Sequence, residues 1–157
     1  MRASVIGRSF AVVVLLAASN RSERHVRLAL DRACSLGLLV ADGTELDHFS
    51  FRHALTRDIV YAELLARNVR PIHRRIARAL EQAGPDASAL GALAYHSWAA
   101  GDAARSLKYN ELAGDRAVVV HALDDARTYY ARARSGVDDD SCDGQRLDVK
   151  VRAIADR

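Results

Sequence analysis

Chain breakers and crosslinkers are scarce in these 157 residues. Two prolines, Pro71 and Pro85, and nine glycines are too few to punctuate many short strands, so an all-β fold is excluded and a mainly α one expected. Two distant cysteines, Cys34 and Cys142, give neither a disulfide framework nor a paired metal-ligand spacing, and they suit a reducing cytoplasm. Charge of one sign is not in large excess either. The 23 basic and 20 acidic residues leave +3, too small a surplus for the footprint of a dedicated nucleic-acid binder. The apolar run Phe10 to Ala18 falls short of the roughly 20 residues that span a bilayer, so no membrane partner is expected. With Arg2 and Arg8 ahead of it and Ala17-Ala18-Ser19 at its end, the run imitates a short signal peptide, although a buried helix accounts for it equally well.

Catalytic signatures are missing too. No G-x-x-x-x-G-K-[ST] loop is present to cradle nucleotide phosphates, and Ala17-Ala18 stand after Val12 to Leu16 where a magnesium-binding acid would be needed. No G-x-S-x-G elbow or H-E-x-x-H pair occurs, and His25, His48, His96 and His121 lack the carboxylate or cysteine spacing of a zinc site. The expectation is a non-enzyme with no metal and no cofactor of its own.

What is present is helical periodicity. Ser22 stands where it can cap a helix carrying Val26, Leu30 and Ala33 on one side, with Glu23 in the first turn and an end near Gly37. Leu38 to Val40, a turn at Asp42-Gly43 and the alternation from Leu46 to Phe51 predict a small β-hairpin. From His53 the helical pattern returns with Leu55, Ile59 and Ala62 along one side. Pro71 opens a further helix with Ile72, Ile76 and Leu80, which Gly84-Pro85-Asp86 ends. Helical segments at 87–99, 103 to about 120, and 123–134 follow, with a turn at Gly101-Asp102. Within 107–134, Gly114, Ala126, Tyr130 and Ala133 stand at the offsets of a tetratricopeptide hairpin, where small residues let helices approach and an aromatic fills the gap. Asp138-Asp139-Asp140 read as a solvated linker before a last helical piece, Gln145 to Ala155, whose abrupt stop suggests a fragment.

Several stretches resemble one family. Ala3 to Phe10, Leu36-Gly37-Leu38-Leu39, Phe51 to Tyr61 and Ile72 to Ala77 are similar to the winged-helix region of STAND-type signalling ATPases and large LuxR-family transcriptional regulators. Ala94-Tyr95-His96, Ala100-Gly101-Asp102 and Ala113 to Ala117 resemble the helical repeats that follow it. The resemblance implies a winged helix with a small β-hairpin over 1–66, a bridging helix over 67–84 and TPR-like antiparallel hairpins over 85–136. An acidic linker and the start of a further helix then occupy 137–157. It further implies a non-catalytic regulatory part that couples the ATP or ADP state of a P-loop domain, in cis or in trans, to a protein or inducer bound on the repeats, and that meets DNA only indirectly.

By the same resemblance His53 is the candidate nucleotide-state sensor, since an imidazole can donate to a phosphate oxygen. Ala54 follows it where the better-known relatives carry Asp. Arg57 and Tyr61, four apart on one face, are candidates for docking a neighbouring domain. Arg67, Arg70, Arg74 and Arg78 form a basic stripe in an acid-free stretch that can meet phosphate or an acidic surface, while His73 reads as a packing residue. The alternative is a stand-alone winged-helix DNA binder with residues 22–36 as the recognition helix, and a second rival is a small enzyme of unknown class. Arg21, Arg24, Arg27 and Arg32 favour DNA, whereas Glu23 and Asp31 interrupt that face.

Overall fold

In the computed structural model, residues 2–42, 47–65, 69–84 and 89–155 are described. They form a mainly helical protein with one small three-stranded antiparallel sheet, in two compact units, Met1–Leu80 and Glu81–Arg157. Among the described residues no helix is long and apolar enough to cross a membrane.

The first unit runs α1 (Ala3–Ile6), β1 (Ser9–Ala11), α2 (Val12–Ser19), α3 (Glu23–Ser35), β2 (Leu39–Ala41), β3 (His48–Phe51), α4 (Ala54–Leu65) and most of α5 (Arg70–Gln82). The sheet order is β1-β3-β2, with Phe10 opposite Phe49 and Val40 opposite Ser50. The apolar run Phe10 to Ala18, which reads equally as a signal-peptide imitation or a buried helix, is divided. Phe10 and Ala11 are drawn into the sheet beside β3, and the helix begins at Val12, whose amide donates to the Asp47 carbonyl at 2.8 Å. Phe10, Leu39 and Phe51 then share a core with Val26 and Leu30 on the inner side of α3.

α3 ends as its sequence predicts, by a Schellman closure. The Leu38 amide donates to Ala33 and the Gly37 amide to Cys34, both at 2.9 Å, and Gly37 at φ +68° supplies the left-handed turn. The expected Ser22 cap differs. Its hydroxyl lies 2.7 Å from His25 Nδ1 instead of accepting a backbone amide. The hairpin is present as β2 and β3, while Gly43 and Leu46, named for its turn and second strand, lie outside the described residues. So do Pro85 and Asp86 of the predicted break and residues 87–88 of the helix after it. A second cluster, Val5, Val14, Ala18 and Ile76, joins α1, α2 and α5. His73 on α5 is 1% exposed, and burial, which withholds hydration from the imidazolium, lowers its pKa to about 4.

The second unit comprises α6 (Leu90–Ala99), α7 (Ala103–Val119), α8 (Leu123–Arg134) and α9 (Cys142–Ala155), together with the last residues of α5. Asp102 ends one helix and starts the next. Its amide completes a Schellman closure on Ser97, and its carboxylate accepts the Arg105 amide at 3.2 Å. Between α7 and α8, Gly114 faces the Tyr130 ring so closely that a Cβ would lie 2.4 Å from its Cε1. Tyr130 donates to Asp115 at 2.7 Å, and Ala126 and Ala133 lie fully buried beside it.

The tail departs from expectation. α9 begins at Cys142, three residues before the predicted Gln145, because Ser141 starts it by accepting the Gly144 amide on its hydroxyl and the Gln145 amide on its carbonyl. Asp138, Asp139 and Asp140 are exposed, but α9 is no loose extension: Leu147 and Ile154 are buried in the same cluster as Tyr130. Arg146 and Lys150 clamp it to Glu111 of α7 at 2.8 and 2.9 Å, and the hydrogen bond from Arg146, followed by that from Lys150, holds the Glu111 carboxyl down at about 2.

Two measurements check this packing. Gly114→Val is expected to cost about 2–3 kcal/mol in urea unfolding, because the Tyr130 ring is fixed at both its face and its hydroxyl and cannot retreat. His73 has a folded pKa below its unfolded one, so the unfolded chain binds more protons between about pH 4 and 6.5. Its contribution is complete above pH 6.5 and is lost as pH falls toward 4, about 3 kcal/mol in all. Unfolding titrations of His73→Leu should show a flatter pH dependence across that window than the parent chain.

Candidate functional site

β3 hands the chain directly to α4. The Phe51 amide donates to Arg8 and the Arg52 amide to Leu38, which fixes the strand end. The His53 carbonyl then receives the Thr56 amide at 3.2 Å as the first turn of the helix forms. His53 therefore stands exposed at the amino end of a twelve-residue helix, beside backbone N–H groups that carry partial positive charge.

The two sides of α4 are assigned by what Arg57 and Tyr61 touch. Arg57 Nε donates to the Ser4 carbonyl at 3.0 Å, its Nη1 to Asp58 at 2.9 Å, and the guanidinium lies 5.0 Å from the centre of the Tyr61 ring. Tyr61 packs against the Val5, Val14, Ala18 and Ile76 cluster. These two residues do share a face, as their spacing predicts, but they spend it inside their own unit. The opposite side, Leu55, Ile59 and Ala62, is turned to solvent, with Leu55 69% and Ile59 56% exposed. An apolar stripe that amphipathicity alone would place against the core is on the outside.

On α5, Arg70, Arg74 and Arg78 recur every four residues along an exposed side, with Arg75 exposed next to them, while His73, Ile76 and Ala77 are buried. Arg67 lies outside the described residues. α4 thus offers an imidazole and an apolar stripe, and α5 a row of guanidinium groups suited to phosphate or carboxylate. Among the described residues no group of three or more His, Cys, Asp or Glu side chains is placed to hold a metal ion.

Sequence reasoning missed Leu55 and Ile59 as surface residues. Their spacing marks one side of a helix but not its direction. The signal that fixes it is on the other side, where Arg57 and Tyr61 need partners that only the folded α1 and α5 supply. On the rival recognition helix α3, Arg27 is bound by Glu23 at 2.8 Å and by both carboxylate oxygens of Asp47 at 2.8 and 3.0 Å. No family model, curated protein or solved structure matches this chain.

Proposed function

We propose that the chain is a non-catalytic regulatory module of a STAND-type signalling ATPase or LuxR-type regulator, in which a winged helix docks on a P-loop nucleotide domain and TPR-like hairpins receive a protein or inducer. The outward apolar side of α4 carries this reading. Leaving Leu55 and Ile59 in water forgoes burial worth about 1.5–3 kcal/mol for each side chain, and a docked domain would recover much of it. His53 at the same end of the helix is placed to meet the phosphates of that domain's ADP, whose extra hydrogen bond would favour the closed, inactive arrangement.

The fold supports the same reading. Helix, strand, two helices and a hairpin whose second strand pairs with the first is the element order of a winged helix. Gly114 against Tyr130, with Ala126 and Ala133 buried nearby, resembles the small-against-aromatic packing expected of tetratricopeptide hairpins. The arginines of α5 would steer an acidic surface of the docked domain, and contact with DNA would be indirect, through other domains of the assembly.

The test is calorimetric titration of the chain with a purified P-loop nucleotide domain of the STAND type. The ADP-loaded domain is expected to bind about tenfold more tightly than the ATP-loaded one. Leu55→Glu with Ile59→Glu should weaken both by about tenfold or more without lowering the melting temperature, and His53→Ala should erase the difference between nucleotides. Equal binding by the double variant would refute docking through α4. The DNA-binding rival has its own measurement, fluorescence anisotropy with duplex DNA across a salt series. With Arg27 neutralised, the expected signal is weak and its salt slope shallow, whereas a slope of several phosphate contacts would replace the docking reading.

A further inference from the structure

The first unit contains a groove of about 870 Å³, within the range of about 300–1,000 Å³ typical of small-molecule sites. Its walls are apolar and come from separate elements: Leu15 of α2, Val26 and Leu30 of α3, Phe51 at the end of β3 and Ile72 of α5. Four arginines, Arg2, Arg21, Arg32 and Arg75, join that lining, and no carboxylate does among the described residues.

The cations are not spread evenly. Burial, and then the nearby charges of Arg75 and Arg21, push the Arg2 guanidinium below its usual range, so both of these cations act on Arg2 within the same lining. Arg2 is also fixed in place, donating through Nη1 to the Ala18 carbonyl at 2.7 Å at the end of α2. Like charges gathered at one place raise the free energy of the empty groove, and an anion placed among them relieves it. A guanidinium fork matches a carboxylate or phosphate in shape as well as charge. Of the remaining described lining only Ser19, His25 and Thr56 carry polar side chains, so most of the ligand's body meets apolar wall. An acidic helix would distribute its carboxylates along its length, which fits a concentrated cluster less well than a single head group does.

We propose that this groove binds a small amphiphile with an apolar body and a single carboxylate or phosphate head, the head held by Arg2, Arg21 and Arg75 and the body lying along α3. The site is distinct from the outer side of α4 and does not rest on the nucleotide-domain reading.

Calorimetric titration of the full chain with dodecanoate and dodecyl phosphate, each below its micelle concentration, tests it. Both are expected to bind saturably at one site, with dodecanol weaker by about tenfold or more. Arg21→Glu with Arg75→Glu, both exposed in the parent, should weaken dodecanoate by at least about tenfold at an unchanged melting temperature. Ala29→Trp fills the groove from an exposed position on α3 and should abolish binding, whereas Leu28→Trp, exposed on the same helix and not part of the lining, should leave it intact. Absence of saturable binding, dodecanol binding as tightly as dodecanoate, indifference to the arginine or Ala29 variants, or binding only to phosphatidylglycerol vesicles would each overturn the proposal.

Discussion

The anchoring of α4 by Arg57 is the constraint from which the character of the first unit follows. A hydrogen bond from a charged guanidinium to a carbonyl contributes about 1.5–3 kcal/mol, and stacking on an aromatic ring adds about 0.5–1. Arg57 makes both, to Ser4 and to Tyr61, on the side of the helix that meets α1 and the Ile76 cluster. With those groups turned inward, rotation of α4 to bury Leu55 and Ile59 would strip Arg57 of its carbonyl and bring a guanidinium toward solvent at the expense of a packed tyrosine. The apolar stripe stays outside because the inward side is held by directional contacts that aliphatic side chains cannot replace.

The second unit is organised differently, around a missing side chain. Where Gly114 has no Cβ, the Tyr130 ring lies against the backbone of α7 and its hydroxyl reaches Asp115 one residue further on. That carboxylate is shared with Lys150 of α9, whose ammonium also meets Glu111, so the charges that bind the third helix depend on the approach of the first two. Any residue larger than glycine at position 114 moves the ring, the hydroxyl and hence the carboxylate that Lys150 needs. Apolar burial of Leu147 and Ile154 holds α9 to the unit, and the ionic pairs set its rotation.

Local chemistry made some features legible from the sequence. Glycine at 37 and at 101 requires only a left-handed residue after a helix, and Glu23 in the first turn of α3 requires only the positive end of that helix's own dipole. Features that depend on distant partners were not legible. β1 is three residues long and exists because Phe10 meets Phe49, 39 positions later. The direction of α4 depends on a carbonyl 53 residues before Arg57. The arginines of the groove come from positions 2, 21, 32 and 75, and no spacing in the chain hints that Arg21 and Arg75 both lie near enough to act on Arg2. Periodicity identifies the sides of a helix, and only tertiary partners decide which side is inward.

On the proposed readings the groove and the docking surface share a structural element. Thr56 and Val60 of α4 line the groove, while Leu55 and Ile59 of the same helix form the outer stripe. A ligand whose binding displaced α4 against the Arg57 anchor would therefore change the affinity of whatever docks on its far side, and the docked domain would change ligand affinity by the same factor. The coupling needs no long pathway, since both surfaces belong to one helix that Arg57 holds from the α1 side. Its size would be limited by the ligand's differential affinity for the displaced and anchored positions of α4, so an amphiphile that binds tightly but leaves α4 where Arg57 holds it would leave docking unchanged.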